Sequence, residues 1–531
     1  MKVMKRNIVL IVAVVSMAHN AFSQGVDHTF DVAKNLDIFN AIYQNLDMFY
    51  VDSLNPQKVI RTGIDAMLQS LDPYTEYFPE EEMEDLNMMT TGKYGGIGSL
   101  IRMRKDSTVM IAEPYEGMPA AEVGLQVGDI LLKIDSIDLK GKVTSEVSEL
   151  LRGEPGTSLS LRIQRPGENS PRDFLITRRS IHLPAVTYYG MLKDGSNDGY
   201  IDFTQFTENC SVEVLNALLA LKQQGAQRII LDLRGNGGGL LDEAVKIVNL
   251  FVPRDTTVVE VKGRIEGINH AYKTTSIPLD LDIPVVVLVG HNTASAAEIV
   301  AGALQDLGRA TIVGVRTFGK GLVQSPRELP WGGSLKFTSS KYYLPSGRCI
   351  QEIDYKALRD TEKTEQTEKT EKTEKTGGIT PDLVVHHDTL PNLLLYLAND
   401  DVLVDYGTHY CQTHKAPSSV TKFSISDKDF EEFKRMIHSS GFTYDRLSEK
   451  RFEDLKKMME FEGYLDDAAD EMAALEAKLT HNLDRDLDRH KHDIKRLMTS
   501  EIVKRWFYQC GAIEESLQYD EDLAAVKNLG K

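Results

Sequence analysis

The 531-residue chain has only four cysteines, Cys210, Cys349, Cys411 and Cys510. They are far apart and form no Cys-x-x-Cys pair, so neither a zinc ribbon nor a dithiol redox motif is on offer. One or two disulfides, or buried free thiols, stay open. Positive charge is in deficit too: 61 Lys and Arg face 79 Asp and Glu, a formal charge of −18. No local basic patch offsets that field, which argues against a nucleic-acid partner. Long apolar runs are also missing. The run over 8–17 is too short to span a bilayer comfortably and no later stretch is long enough, so an integral membrane protein is disfavoured, although an uncleaved anchor stays open.

What surrounds that run has a different meaning. Lys2, Lys5 and Arg6 precede it and Ala21-Phe22-Ser23 follows, the basic, apolar and small-residue order of a secretory signal over 1–23. No cysteine follows the run, so a lipid anchor is not suggested. The expectation is an exported protein, periplasmic or secreted.

Four further regions differ in their periodicity. Over 24–92, Leu36, Phe39, Tyr43 and Leu46, then Val59, Ile60, Ile64, Met67 and Leu68, recur at helical spacing, with Pro56 near a start and Asp72-Pro73 as a stop. Over 93–181 the pattern becomes short β-type runs between glycine and proline turns. Over 182–385, strands such as Ile229 to Leu233 and Val285 to Val289 are apolar on both faces and each precedes a helical pattern, which predicts a layered α/β core. Within it, 359–376 is a Thr-Glu-Lys repeat without apolar residues, expected to be a solvated or disordered insertion. The rest, 386–531, is helical again. There Leu475, Leu479, Leu483, Leu487, Ile494 and Leu497 predict one long helix ending near Gly511, packed on the core or pairing with a second copy.

Three segments of the α/β region carry chemistry. Ser295 follows a buried strand and a short turn and opens a helix. Alone, with Glu298 three residues on, it reads as a capping box. Lys320 lies between Gly319 and Gly321, which let the backbone bend and approach another segment closely. A lysine serves as general base to a serine only where desolvation lowers its pKa, and Gln324 could orient the amine. The third segment, Asp232-Leu-Arg-Gly-Asn-Gly-Gly-Gly239, is a strand-to-helix turn able to aim backbone N–H groups at one point, as an oxyanion hole requires. Gly314 to Lys320 has the spacing of a phosphate-binding loop, but Gly321 replaces the Ser or Thr that would hold magnesium, so an NTPase ranks low. His386-His387-Asp388 is a poor metal site because adjacent histidines point apart, and it is assigned to the surface.

Together these motifs, with Thr293-Ala-Ser-Ala-Ala-Glu-Ile and Phe318-Gly-Lys-Gly-Leu-Val-Gln in that order, resemble the carboxyl-terminal processing peptidases. The resemblance runs from about Leu36 to Asp382. It implies a crotonase-like α/β protease core behind a PDZ domain, with Ser295 as nucleophile, Lys320 as base and Gln324 as its partner. The oxyanion would be held by amides of Ala296 and Gly239, with Gly238 as a further candidate. Asp306 and Arg234 match motif positions and are read as structural.

The β-rich region resembles a PDZ domain whose carboxylate-binding loop is Gly95, Gly96, Ile97 and Gly98, so that a free protein C-terminus would be the ligand. The implied activity is a serine endopeptidase cutting near captured tails, with no metal or cofactor. The alternatives are a catalytically silent PDZ scaffold and an α/β hydrolase using His291 as base. Thr293 and Ala297 stand where many members have serine, and the Thr-Glu-Lys insertion and the C-terminal region depart further, so homo-oligomerisation through that region is an expectation of this chain's own.

Overall fold

The computed structural model describes residues 28–361, 377–387, 389–479 and 482–529. The signal segment 1–23 and most of the Thr-Glu-Lys insertion lie outside these residues. The chain forms two compact units. The smaller unit, 28–77 with 326–337 and 355–361, holds a helix over 28–49 and a second, Pro56–Gln69. This second helix begins where the sequence predicts: Asn55 accepts from the Lys58 amide and Pro56 occupies the first turn, where its missing N–H costs nothing. The remainder, including the short helix Met83–Thr91, belongs to the larger unit.

In the larger unit the β-rich region forms a sheet in which strand Ser99–Met103 pairs on one side only, with Val109–Pro114, and so is an edge. Ile97, Ile111, Leu131, Leu159, Leu161, Ile163 and Ile176 fill its core. Before the sheet, Lys93–Gly96 pairs antiparallel with Arg179–His182, a two-stranded ribbon joining the first and last segments of the region.

The α/β core is a six-stranded sheet whose spatial order follows the chain: β1 (Val186–Met191), β2 (Asp198–Phe203), β3 (Arg228–Asp232), β4 (Val285–Val289), β5 (Ala310–Gly314) and β6 (Leu383–Val384). Only β1 is antiparallel. Side chains alternate between faces along a strand, and here both faces are buried. Ile201, Ile229, Leu231, Val285, Val287, Val289 and Ile312 pack with helices α1 (Cys210–Gln223), α2 (Leu241–Asn249) and α3 (Ala296–Asp306). The intervening Tyr200, Ile230, Val286, Leu288 and Val313 pack with Leu523 and Val526 of the last helix, Glu521–Asn528.

The C-terminal region has a core of its own, centred on Phe430, Phe433, Ile437, Leu487, Ile494, Met498 and Ile502. The single long helix expected there is instead broken into Ala469–Leu479, Leu483–Arg489 and Lys491–Ser516, the last of them kinked at Tyr508. Leu483, Leu487, Ile494 and Leu497 pack in this core, whereas Leu475 is exposed. The breaks are local: Asn482 caps the second helix by accepting from the Arg485 amide at 2.9 Å, and His490 separates the second from the third. All four cysteines are free; Cys210 is buried and Cys510 exposed. Among the described residues no helix is long and apolar enough to cross a membrane.

Candidate active site

Ser295 sits at the junction of β4 and α3 with φ 56° and ψ −118°, a region that costs a non-glycine residue about 1–3 kcal/mol unless its surroundings impose it. The surroundings are built to do so. Thr293 Oγ1 donates to the Leu233 carbonyl at 2.7 Å and accepts from the Gly290 amide at 2.8 Å, and the Ala294 amide donates to the Asn236 carbonyl at 3.0 Å. The turn bearing Ser295 is thereby stapled to the glycine loop after β3. A Cβ on Gly238, whose φ is +96°, would lie 2.8 Å from the Ser295 Cβ and 2.9 Å from the Ala296 nitrogen, so only glycine admits this approach.

Within that loop the amides differ. The Gly238 N–H donates to the Asn236 side chain at 2.9 Å, while Asn236 itself donates to the Phe203 carbonyl. Among the described residues the Gly239 and Ala296 amides donate to no protein acceptor. Of the three expected oxyanion donors, Gly238 is therefore occupied and the adjacent pair Gly239 and Ala296 is left.

Glu298 is completely buried, and its carboxylate joins the serine turn to the lysine loop. It accepts from the Ser295 amide at 2.9 Å, the Lys320 amide at 2.9 Å, the Gly319 amide at 2.8 Å and the Thr317 hydroxyl at 2.6 Å. Those four donors use the full acceptor capacity of a carboxylate. Burial pushes its pKa above the ordinary glutamate value, against the pull of the Thr317, Lys320, Gly319 and Ser295 donors. A second clasp comes from the buried Tyr342, whose hydroxyl lies 3.1 Å from the Ser295 carbonyl oxygen and also donates to the Lys320 carbonyl. Nucleophile and base candidates, 25 residues apart in sequence, thus share two anchors.

The glycines beside Lys320 behave as the sequence suggests. Gly319 has φ +90°, and a Cβ on Gly321 would meet the Gln351 nitrogen at 2.7 Å. Lys320 is half-buried. Gln324 is also half-buried and donates to the Thr338 hydroxyl at 3.3 Å. His291 is exposed, and among the described residues it has no hydrogen bond to Ser295. Asp306 lies at the end of α3, accepting from the Ser346 amide and pairing with Arg348, a structural role. His387, assigned to the surface from sequence, reaches Glu521 at 3.1 Å and the buried Asp522 at 3.2 Å. No group of acidic, histidine or cysteine residues suited to a metal ion occurs among the described residues.

In the β-rich region Gly95 and Gly96 are not a free loop: they pair with Ser180 and Arg179 in the ribbon. The pairing partner lies some 85 residues away, which no local pattern announces. Ile97 and Gly98 form the turn into the edge strand, with their carbonyls held by the Ala120 and Tyr115 amides. Their own amides donate to no protein acceptor among the described residues.

Comparison with known proteins matches residues 197–385 to "Peptidase family S41", 110–165 to a PDZ domain and 393–529 to "Probable PDZ-protease, C-terminal helical domain". Over its α/β core the chain is thus similar to peptidase family S41. Proteins described as "Probable CtpA-like serine protease" are similar to it: one from Staphylococcus aureus (strain MRSA252) is 36% identical over 322 residues, 60% of this chain and 62% of that protein. One from Staphylococcus epidermidis (strain ATCC 12228 / FDA PCI 1200) is 34% identical, over 60% of this chain and 63% of its own. The chain thus spans less than two thirds of these relatives' length. Among solved structures, a photosystem II D1 C-terminal processing protease aligns over 66% of this chain and 88% of its own, at 28% identity and a TM-score of 0.37.

Two residues of the α/β core were missed as site residues by sequence reasoning. Glu298 carried a signal, its capping-box spacing from Ser295, but that spacing accounts for only one of its four bonds. Tyr342 carried none, because its contacts depend on how strand Ser334–Tyr343 crosses the site.

Proposed function

We propose that this chain is a serine endopeptidase in which Ser295 Oγ attacks the scissile carbonyl carbon and Lys320 Nζ takes the hydroxyl proton. The ammonium then gives that proton to the leaving amine, and water hydrolyses the acyl-enzyme by the same route. The developing oxyanion is received by the Gly239 and Ala296 amides, donors fixed before reaction and therefore needing no reorganisation. Gln324, held by Thr338, directs the lysine amine. The observation that carries the reading is the shared anchoring of Ser295 and Lys320 by the Glu298 carboxylate and the Tyr342 hydroxyl, with Gly238 packed against the serine. A capping serine and a surface lysine need no such joint support.

Substrate selection follows from the PDZ domain. A free terminal carboxylate is bound by the Ile97 and Gly98 amides while the tail adds to edge strand Ser99–Met103. Export rests on the charged, apolar and small-residue order of 1–23.

The test compares one peptide with a free C-terminus and its amidated form, using wild type, Ser295→Ala, Lys320→Ala and His291→Ala. The expected result is a loss of about 10⁴-fold or more for the serine and lysine variants, none for the histidine variant, and preference for the free carboxylate. Undiminished cleavage by Lys320→Ala rules out the dyad. Equal cutting of both peptides rules out tail recognition, and no cleavage by any form favours a binding scaffold.

A further inference from the structure

Arg234 follows β3 and opens the glycine loop that the reaction uses, and its guanidinium reaches carboxylates near the end of the chain. Its Nε lies 3.0 Å from an Asp232 oxygen, one terminal nitrogen lies 3.0 Å from Asp520 and 2.7 Å from Asp522, and the other reaches Asp232 and Asp520 at 2.5 and 2.6 Å. Asp232 is shared further, with the Arg234 amide at 2.9 Å and the Tyr200 hydroxyl at 2.7 Å. Burial disfavours the arginine charge, and Asp232 and Asp520 outweigh it, holding the pKa above even the arginine range.

Three carboxylates on one guanidinium are more than neutralisation requires. Asp232 alone would satisfy the charge; Asp520 and Asp522 add a geometric constraint, because Asp520 is also the N-cap of the last helix, accepting from the Leu523 amide at 3.1 Å. That helix is fixed independently by Leu523 and Val526 beneath the sheet and by Lys527 on Asp194 at 2.9 Å. The arginine is therefore braced between a sheet strand and a helix that is itself held against the sheet.

We propose that the last helix positions the oxyanion loop, Asp520 and Asp522 fixing Arg234 so that the backbone from Arg234 to Gly239 keeps the Gly239 amide aligned with that of Ala296. The last helix then acts on catalysis and not on substrate capture, with Asp520 and Asp522 as positioning residues. This rests on the proposed assignment of Gly239 and Ala296 as oxyanion donors.

The experiment measures kcat and KM on the free-tail peptide, thermal unfolding, and inhibition by the corresponding peptide aldehyde, whose adduct with Ser295 places an oxyanion in the hole. The variants are Asp520→Asn, Asp522→Asn, the double variant, Asp520→Glu and Lys527→Gln, in the full chain. At position 520 asparagine keeps the helix cap, and at both positions it removes the negative charge that faces Arg234. The double variant is expected to lose roughly 10- to 100-fold in kcat and in aldehyde affinity, less than the about 100- to 1000-fold that removing an oxyanion donor outright costs, with KM within about twofold. Asp520→Glu restores part of the loss. Lys527→Gln, which removes a partly exposed ion pair of the same helix but leaves its apolar seat and the Arg234 contacts in place, leaves kcat unchanged. An unchanged kcat in the double variant overturns the proposal, as does a loss confined to KM or an equal loss in Lys527→Gln. Wild type that fails to cleave or to bind the aldehyde overturns the peptidase reading itself. If the double variant is too unstable to assay, kcat and aldehyde affinity for Asp520→Asn alone decide by the same criteria.

Discussion

A buried carboxylate that accepts four hydrogen bonds has no room for a substitute. In Glu298→Gln the amide nitrogen points a donor at two of the groups that now donate, leaving them unsatisfied in a dry site, a loss of about 2–4 kcal/mol in stability. It also releases the serine turn from the lysine loop, so kcat falls while peptide binding is retained. The pH dependence has a definite sign. Burial raises the Glu298 pKa in the folded state above its ordinary value of 4.5, so the folded chain takes up this proton at higher pH than the unfolded chain does. This group's contribution therefore favours the folded state increasingly as pH falls from above the folded value to below 4.5. Denaturant unfolding of wild type and Glu298→Gln across that window should show the stability difference widening toward acid; a constant or narrowing gap rules the raised pKa out. The sequence exposed this residue as half of a capping box because Ser-x-x-Glu is a local pattern. Its bonds to Thr317, Gly319 and Lys320 join segments about 20 residues apart, which periodicity does not register.

At the level of elements, the strand-turn-helix units were legible because a strand buried on both faces is written as an unbroken apolar run, as in Val285 to Val289. Breaks were harder to see. The leucines from Leu475 to Leu497 have helical spacing throughout, yet they fall on three helices, and what divides them is local: a capping asparagine at 482 and a break at His490. The pairing of Gly95 and Gly96 was likewise hidden, since register depends on a distant strand. Conversely, Gly235 to Gly239 reads in sequence as a uniform glycine turn, whereas the structure distinguishes its members. Gly235 and Gly237 have no atom near an added Cβ, but Gly238→Ala would place its methyl carbon 2.7 Å from the Ala294 carbonyl at a φ of +96°. Gly238→Ala should abolish peptide cleavage and cost about 2–4 kcal/mol, whereas Gly237→Ala should leave Tm within a few degrees. Equal effects of the two on turnover would mean that the loop does not approach the serine as described.

Across the larger unit, the C-terminal helices hold the PDZ edge strand as well as the catalytic sheet. Arg102 pairs with Asp401 at 2.8 Å, Arg104 with Asp405 at 2.8 Å, and the Lys105 amide and side chain reach Asp401 and Asp400. Partly exposed pairs of this kind contribute at most about 1 kcal/mol each, and screening weakens them. Removing two in Asp401→Asn/Asp405→Asn should therefore speed amide hydrogen exchange over 99–105 without moving the global Tm by more than a few degrees, and added salt should have the same direction of effect. Unchanged exchange would show that apolar contact through Met110, Val127 and Val404 suffices.

The two-sided burial of the catalytic sheet has a further consequence. The segment recognisable as an S41 peptidase ends at residue 385, but one entire face of its sheet, Tyr200, Ile230, Val286, Leu288 and Val313, is covered by side chains from beyond residue 510. Cut at its family boundary, the core would present an apolar plane to water. The segment that matches the family and the unit that buries its own sheet are therefore of different lengths, and the last turns of the chain belong to the α/β core as fully as the strand that precedes Ser295.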